Sequence, residues 1–293
     1  MAITIPANFT SNSKKAIPRN LLGASDGDTP NIKQPIRMVS CDTAEKAQYA
    51  GAPPKAQLKL DRTRQRLTNG LLKDLPPHLR NYLTKKLMPR AAADHIAAAT
   101  EASKQFKQLL SRRLRKANRK SRRLGVIATG EIIDVYGRLL AYLSPWYDGT
   151  KTDPIPPKAS PKRTTFNLNM VENGWAASFP IYPSLPKNKD WQRFLAAAKT
   201  AWDKQRGQWN AHGKSLLLGY EYRMCIKLAR TAKKGEVLTG KTLIDEAFQR
   251  VCVDARNGKI LGRFDFSKID PPYRVWVWEK DLPEAKSKLK LLY

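Results

Sequence analysis

The sequence has little of the chemistry that cross-links a chain or binds soft metal ions. Its three cysteines, Cys41, Cys225 and Cys252, are an odd number at wide spacing, which excludes a disulfide framework and does not match a zinc-ligand pattern. The three histidines are scattered, which argues against a histidine-based metal site. We therefore expect reduced, buried thiols and no zinc centre.

Long apolar runs are missing as well. No stretch approaches the roughly 18 to 20 apolar residues that cross a bilayer, so the sequence predicts no membrane-spanning segment. The first twenty residues lack the run of about 7 to 15 apolar residues of a Sec signal peptide. We expect a cytoplasmic protein, or export by a non-classical route. A chain of 293 residues with 41% hydrophobic residues can form one or two globular cores.

Acidic residues are scarce relative to basic ones. The 54 Lys and Arg against 25 Asp and Glu leave a net charge of +29, and such a protein generally binds a polyanion. Nucleic acid is the expected partner. The stretch from Arg112 to Arg123 is dense in basic residues and has no acid; it is either a solvated helix end or a phosphate-binding surface. The total charge favours the second interpretation, with Arg119 and Arg122 as substrate-binding candidates.

Local patterns predict a mixture of strands and helices. Residues 36–41 alternate like a strand, and residues 55–120 contain two or three helices, the last capped by Thr100. Residues 125–143 predict a hairpin broken at Gly130 and Gly137. An amphipathic helix over 190–209 and a tail with two helices and a strand complete the pattern.

Three carboxylates and two arginines form the clearest chemical pattern. Asp28 lies in DGDT, which alone is a common turn, while Asp42 and Glu45 follow the predicted strand. Carboxylates at neighbouring strand ends can hold a hard cation such as calcium. Arg37 and Arg138 can neutralise charge on a phosphodiester during in-line attack, and Glu45 is the candidate general base.

The order of these segments resembles the staphylococcal nuclease family. DGDT, IRMVSCDTAEKA, TEASKQFKQLLSRRL, DVYGRLLAYL, LNMVENGWA and AWDKQRGQW follow one another as in that family, over about residues 20–210. The resemblance implies an α+β protein with a five-stranded OB-fold barrel and packed helices. We expect an N-terminal extension over 1–19, this domain over 20–210 with a helical insertion at about 55–95, and a small α/β C-terminal module over 214–293.

The resemblance also implies a role for each matching residue. It places calcium on Asp28, Asp42 and the Thr43 carbonyl. It makes Arg37, Glu45 and Arg138 the catalytic residues. It places Asp134 and Tyr136 in the nucleotide pocket.

The predicted function is a calcium-dependent nuclease that hydrolyses DNA and possibly RNA, giving 3′-phosphate products. The alternative is a non-catalytic OB-fold module that binds single-stranded nucleic acid, and a third interpretation is a basic packaging protein. The sequence does not predict the oligomeric state. The motif from Gly235 to Thr242 matches a nucleotide-binding P-loop, but no apolar strand precedes it, so we set it aside.

Overall fold

The computed structural model describes residues 19–291, so nearly all of the predicted N-terminal extension lies outside the described residues. Strands and helices are mixed along the chain. The strands are β1 (Leu21–Ala24), β2 (Pro30–Ile32), β3 (Ile36–Met38), β4 (Ser40–Asp42), β5 (Leu124–Ile133), β6 (Leu139–Pro145), β7 (Ala177–Phe179), β8 (Arg250–Asp254), β9 (Ile260–Gly262) and β10 (Arg274–Trp278). The helices are α1 (Ala47–Ala50), α2 (Pro53–Thr68), α3 (Pro77–Lys86), α4 (Ala91–Leu114), α5 (Phe166–Glu172), α6 (Asn188–Asp203), α7 (Gln208–His212), α8 (Gly219–Leu228), α9 (Gly240–Ala247) and α10 (Leu282–Leu289). Within this described range, no helix is long and apolar enough to cross a membrane.

The strands form four small sheets. β3 pairs in parallel with β6, which pairs with β5 as the predicted hairpin, and β4 pairs with β7. Between β3 and β4 the chain bends at Ser40, whose φ is 61°. This bend ends the pairing with β6 and starts the pairing with β7. The α+β class is confirmed, but these strands form no closed barrel among residues 19–291, and the five-stranded OB-fold is not confirmed.

Helix α4 shows why the helical segment folds as it does. A stripe of buried alanines at three- and four-residue spacing runs along it, and alanine has the highest helix propensity. The helix begins at Ala91, so the predicted cap at Thr100 is wrong. Thr100 lies inside the helix, where its hydroxyl donates to the Ile96 carbonyl at 2.9 Å.

The largest core joins the helices that follow the acidic segment, residues 42–45, to the C-terminal part of the chain. Leu60 of α2 and Leu79 of α3 are fully buried in the same cluster as Tyr220 of α8 and Trp276 of β10. Residues after 214 therefore pack on the predicted helical insertion. The predicted division into domains stays a prediction.

A buried ionic cluster fixes α8 in this core. The Glu221 carboxylate accepts hydrogen bonds from Lys86 at 2.7 Å, Arg274 at 3.0 Å and the Tyr82 hydroxyl at 2.5 Å. Burial alone would raise the pKa of Glu221, but Lys86 and Arg274 lower it, so the carboxylate is ionised. Because residues two apart on a helix point in different directions, this anchoring directs Arg223 toward another neighbour.

The P-loop-like stretch has the wrong surroundings for a nucleotide site. A helix, α8, precedes it rather than a strand, and Gly240 begins α9 with the Thr239 hydroxyl accepting from the Thr242 amide at 3.1 Å. The stretch is a loop and an ordinary helix start.

Candidate functional site

The acidic segment after β3 folds back on its own arginine. The bend at Ser40 brings Arg37 to Asp42, where Arg37 Nη2 donates to Asp42 Oδ1 at 2.7 Å. The Asp42 side chain is fully buried, whereas that of Arg37 is partly exposed. Ala44 packs against α4, which holds the following residue, Glu45, at the edge of the core.

A second arginine, from α8, covers both carboxylates. Arg223 donates to Asp42 through Nη1 to Oδ1 at 3.1 Å and through Nη2 to Oδ2 at 2.9 Å, and Nη1 also donates to Glu45 Oε1 at 2.5 Å. Burial raises the pKa of Asp42, but Arg223 and Arg37 outweigh it and hold the pKa below its usual value. Asp42 is therefore a buried, ionised carboxylate bonded to two guanidinium groups.

The start of α8 lies directly against this segment. A Cβ on Gly219 would lie 2.4 Å from the Thr43 carbonyl oxygen and 2.5 Å from Asp42 Oδ2. Only glycine allows this approach, because any side chain would displace the carboxylate or the helix. The close contact also sets Asp42 beside the positive end of the α8 dipole, which favours its charged form.

A third arginine, Arg250, lies near Asp42 without a direct bond to it. Arg250, at the start of β8, makes no hydrogen bond or ion pair within residues 19–291, and its Nε is buried without a partner. Its guanidinium stacks on the Trp278 ring at 3.9 Å and on Phe179 at 5.5 Å. Burial, Arg223 and Arg37 lower the pKa of Arg250 to about 10, although Asp42 and Tyr136 partly oppose this shift. A guanidinium that lies beside other cations and has no directly bonded carboxylate is suited to bind an anion.

His95 fixes the backbone of the Glu45 segment. The Glu45 amide donates to His95 Nε2 at 2.8 Å, and His95 Nδ1 donates to the Leu217 carbonyl at 2.9 Å. The ring stacks on Tyr222 at 3.9 Å. Burial lowers the pKa of His95 to about 4, so the imidazole is neutral and its tautomer follows from these two bonds.

The β5–β6 hairpin turn carries three of the predicted residues to the edge of this site. Arg138 donates to Asp134 through Nε at 2.8 Å and lies over the Tyr136 ring at 5.2 Å. It directly precedes β6, in which Leu140 pairs with Arg37. Tyr136, with 75% of its surface exposed, interacts electrostatically with Arg250.

The two basic-run residues lie in a separate loop after α4. Arg119 is exposed, in the left-handed region at φ 66°. Arg122 is bound to the protein itself, since it donates to the buried Asp153 at 2.7 Å and stacks on Tyr147 at 4.7 Å. Among the described residues, neither of these side chains makes a hydrogen bond or ion pair with Asp42 or Glu45. The helix itself ends at Leu114 and does not carry the whole basic run.

Asp28 lies apart from the other predicted metal ligands. It is exposed on the turn between β1 and β2, where it accepts from Thr29 Oγ1 at 3.2 Å. Among residues 19–291, no group of three or more His, Cys, Asp or Glu side chains lies close enough to hold a metal ion. Calcium takes six to eight oxygen ligands, whereas the Asp42 oxygens here face three guanidinium N–H donors. The arrangement does not fit the calcium ion that the resemblance implies, and calcium dependence stays a prediction.

Sequence reasoning missed three residues of this site. Arg223 and Arg250 lie far along the chain from Asp42, and nothing in their local patterns marks them. His95 had a signal, because it is a polar residue on the alanine stripe of α4. Such a residue is expected to be buried with a specific partner.

Comparison with known proteins supports one family. Residues 81–211 match the family model described as staphylococcal nuclease homologue. No curated protein matches the chain. The matched segment includes the turn with Asp134, Tyr136 and Arg138 but neither the acidic segment nor the arginines of α8 and β8. The resemblance is confirmed: over residues 81–211 this chain is staphylococcal nuclease-like, which indicates a nuclease or a nucleic-acid-binding protein.

Proposed function

We propose that this chain is a nuclease that binds a nucleic-acid phosphodiester at the arginines around Asp42 and Glu45 and hydrolyses it. The observation that carries the proposal is the guanidinium of Arg250, which is half-buried and has no negative charge within hydrogen-bond or ion-pair distance among residues 19–291. A phosphodiester supplies that charge. The staphylococcal nuclease-like segment and the net charge of +29 support the same class of ligand.

Two arginines are suited to hold the phosphate. Arg37 uses one Nη2 hydrogen for Asp42, and its other N–H groups make no further hydrogen bond within the described residues. Arg250 is stacked on Trp278, so its planar group is already oriented. Guanidinium groups bind phosphate oxygens with strong, charge-assisted hydrogen bonds. Because both groups are held before the ligand arrives, little side-chain entropy is lost on binding.

Glu45 is suited to act as the general base. Its Oε1 is bonded to Arg223, while Oε2 makes no hydrogen bond among residues 19–291 and the side chain is 26% exposed. Oε2 takes a proton from a water molecule, whose oxygen attacks the phosphorus as the bond to the leaving oxygen breaks; the leaving oxygen keeps the electron pair and takes up a proton from solvent water. Arg37 and Arg250 stabilise the charge on the nonbridging oxygens. By resemblance the 5′ oxygen leaves, so the products carry a 3′-phosphate.

A digestion assay tests this proposal. Supercoiled plasmid, single-stranded DNA and RNA are each incubated with the chain, with calcium and with excess chelator. Glu45→Gln should reduce turnover by about 10²- to 10⁴-fold, the usual worth of a general base. Glu284→Gln, at an exposed position of α10, is the matched control and should keep full turnover. Equal turnover in both variants would refute the role of Glu45.

A second candidate function is binding without cleavage. It is favoured by one observation: Arg223 binds Glu45 as well as Asp42, so one oxygen of the proposed base is occupied by a guanidinium. A binder would show no cleavage of any substrate under any of these conditions, yet would still lose affinity when Arg250 is replaced. Product ends then distinguish the two functions, since only the nuclease makes new 3′-phosphates.

A further inference from the structure

Most of the hydrogen-bond acceptor positions of the Asp42 carboxylate are occupied. Oδ1 accepts from Arg37 at 2.7 Å and from Arg223 at 3.1 Å, and Oδ2 accepts from Arg223 at 2.9 Å. Three of the four lone-pair positions of the carboxylate are therefore used. Gly219 presses against Oδ2 so closely that even a Cβ there would lie 2.5 Å away. A metal ion at its usual 2.3–2.6 Å from these oxygens would displace Arg223.

The negative charges of Asp42 and Glu45 are already balanced by arginines. Asp42 and Glu45 contribute two negative charges, and Arg223 and Arg37 contribute two positive ones. Arg250 interacts electrostatically with Asp42, Arg223 and Arg37 and adds a further positive charge. A divalent cation that approaches this site meets net positive charge rather than the negative charge that calcium sites present.

Arg223 is firmly held where it lies. Its helix is fixed by the buried Glu221 cluster, and its guanidinium lies 5.8 Å from the Phe179 ring. Displacing it would leave a guanidinium without its two carboxylates and would leave the fully buried Asp42 with one partner. Both changes cost free energy, since uncompensated charge is expensive away from water.

We infer that Arg223 takes the place of a divalent cation at the Asp42–Glu45 pair. Its guanidinium bridges the two carboxylates and supplies a fixed positive charge beside the phosphate-binding arginines. The residue lies in α8, beyond the matched segment 81–211, so the C-terminal part of the chain completes the site. The site then binds its anionic ligand without a divalent metal ion.

Metal binding and thermal unfolding of the full chain test this inference. Wild type, Arg223→Gln and Arg223→Lys are titrated with calcium and with magnesium by calorimetry, and their melting temperatures are compared with and without each ion at equal ionic strength. Arg256→Gln is the matched control, because Arg256 also pairs with a buried aspartate, Asp254, at 2.6 Å. Asp42→Asn identifies binding that depends on the carboxylate.

Wild type and Arg256→Gln should show no Asp42-dependent metal binding. Arg223→Gln should melt several degrees lower than wild type and should regain part of that loss with calcium, because the vacated carboxylates become available. Calcium binding by wild type that disappears in Asp42→Asn would overturn the inference. So would the absence of calcium binding in a folded Arg223→Gln chain. Arg223→Lys keeps a positive charge beside the carboxylates and should bind no calcium. If Arg223→Gln does not fold, the wild-type titration, compared with Asp42→Asn, decides the question.

This inference rests on the site of the proposed function, but its failure can be distinguished from the failure of the nuclease proposal. The measurements report ion binding and unfolding rather than cleavage. Calcium bound by wild type at Asp42 would leave the nuclease proposal standing with a metal-dependent site. A chain that cleaves nothing and binds no calcium would refute the nuclease while supporting the role of Arg223.

Discussion

Replacing Arg250 with methionine should weaken nucleic-acid binding and stabilise the fold at the same time. Methionine keeps an unbranched apolar stem against Phe179 and Trp278 but removes the unpaired charge. A purely structural arginine would behave differently, because removing it would lower stability. The opposite signs of the two effects make this variant the most informative in the chain.

The structure sets the size of each effect. Burial is the chief cause that lowers the pKa of Arg250 from its usual value to about 10, which corresponds to about 3 kcal/mol against the charged form. Stacking of the guanidinium on the Trp278 ring offsets about 1 to 2 kcal/mol of this destabilisation. Arg250→Met removes both effects, so its free energy of unfolding should rise by about 1 to 2 kcal/mol. A charge-assisted hydrogen bond to phosphate contributes about 1.5 to 3 kcal/mol, so affinity should fall by about 10- to 100-fold.

Two measurements on the same samples check this prediction. Urea unfolding gives the free energy of unfolding, and fluorescence anisotropy with a labelled single-stranded oligonucleotide gives the affinity. Arg256→Met is the control, since Arg256 lies just beyond the other end of β8, pairs with Asp254 and stacks on Tyr273 at 4.8 Å. It should lose stability and keep its affinity. If Arg250→Met were less stable than wild type and bound nucleic acid equally well, Arg250 would be a structural residue and the phosphate site would be misplaced.

Three further predictions follow from the buried and exposed charges. Burial lowers the pKa of His95 from 6.5 to about 4, so at acidic pH the unfolded chain binds a proton that the folded chain does not. The contribution of neutral His95 to the free energy of unfolding is complete above pH 6.5, and up to about 3 kcal/mol of it should be lost as the pH falls toward 4. His95→Gln should not show this loss in urea unfolding. Lys86→Met should lower the free energy of unfolding by about 3 to 5 kcal/mol, because it removes one partner from the buried Glu221, and an unchanged urea midpoint would contradict this. Arg122→Glu should unfold at a lower urea concentration than wild type. Arg119→Glu should keep its stability but should flatten the plot of log nucleic-acid affinity against log salt by at least about 0.7 to 0.9 units. Identical behaviour of the two variants would refute the distinction between them.

The sequence by itself determined the features that depend on neighbours along the chain. The hairpin forms as predicted because Gly137 takes a positive φ of 74°, which the turn requires. The predicted late strand is observed as β10, since alternation within a few residues marks it. Arg37, Asp42 and Glu45 lie within nine positions of one another, so their proximity could be anticipated from spacing alone. The family resemblance, which is confirmed over 81–211, depends on the same kind of local pattern.

Only the tertiary structure decided what surrounds those residues. Arg223 meets Asp42 from 181 positions away, and it does so because the buried Glu221 cluster orients α8. Nothing in a helical sequence distinguishes an arginine that faces solvent from one that faces a carboxylate on another element. Strand pairing is equally non-local, and the bend at Ser40 sends β4 to β7 instead of continuing the sheet. Charge balance in a buried site depends on which elements pack together, and for that reason the sequence predicted the carboxylates but not the arginine that neutralises them.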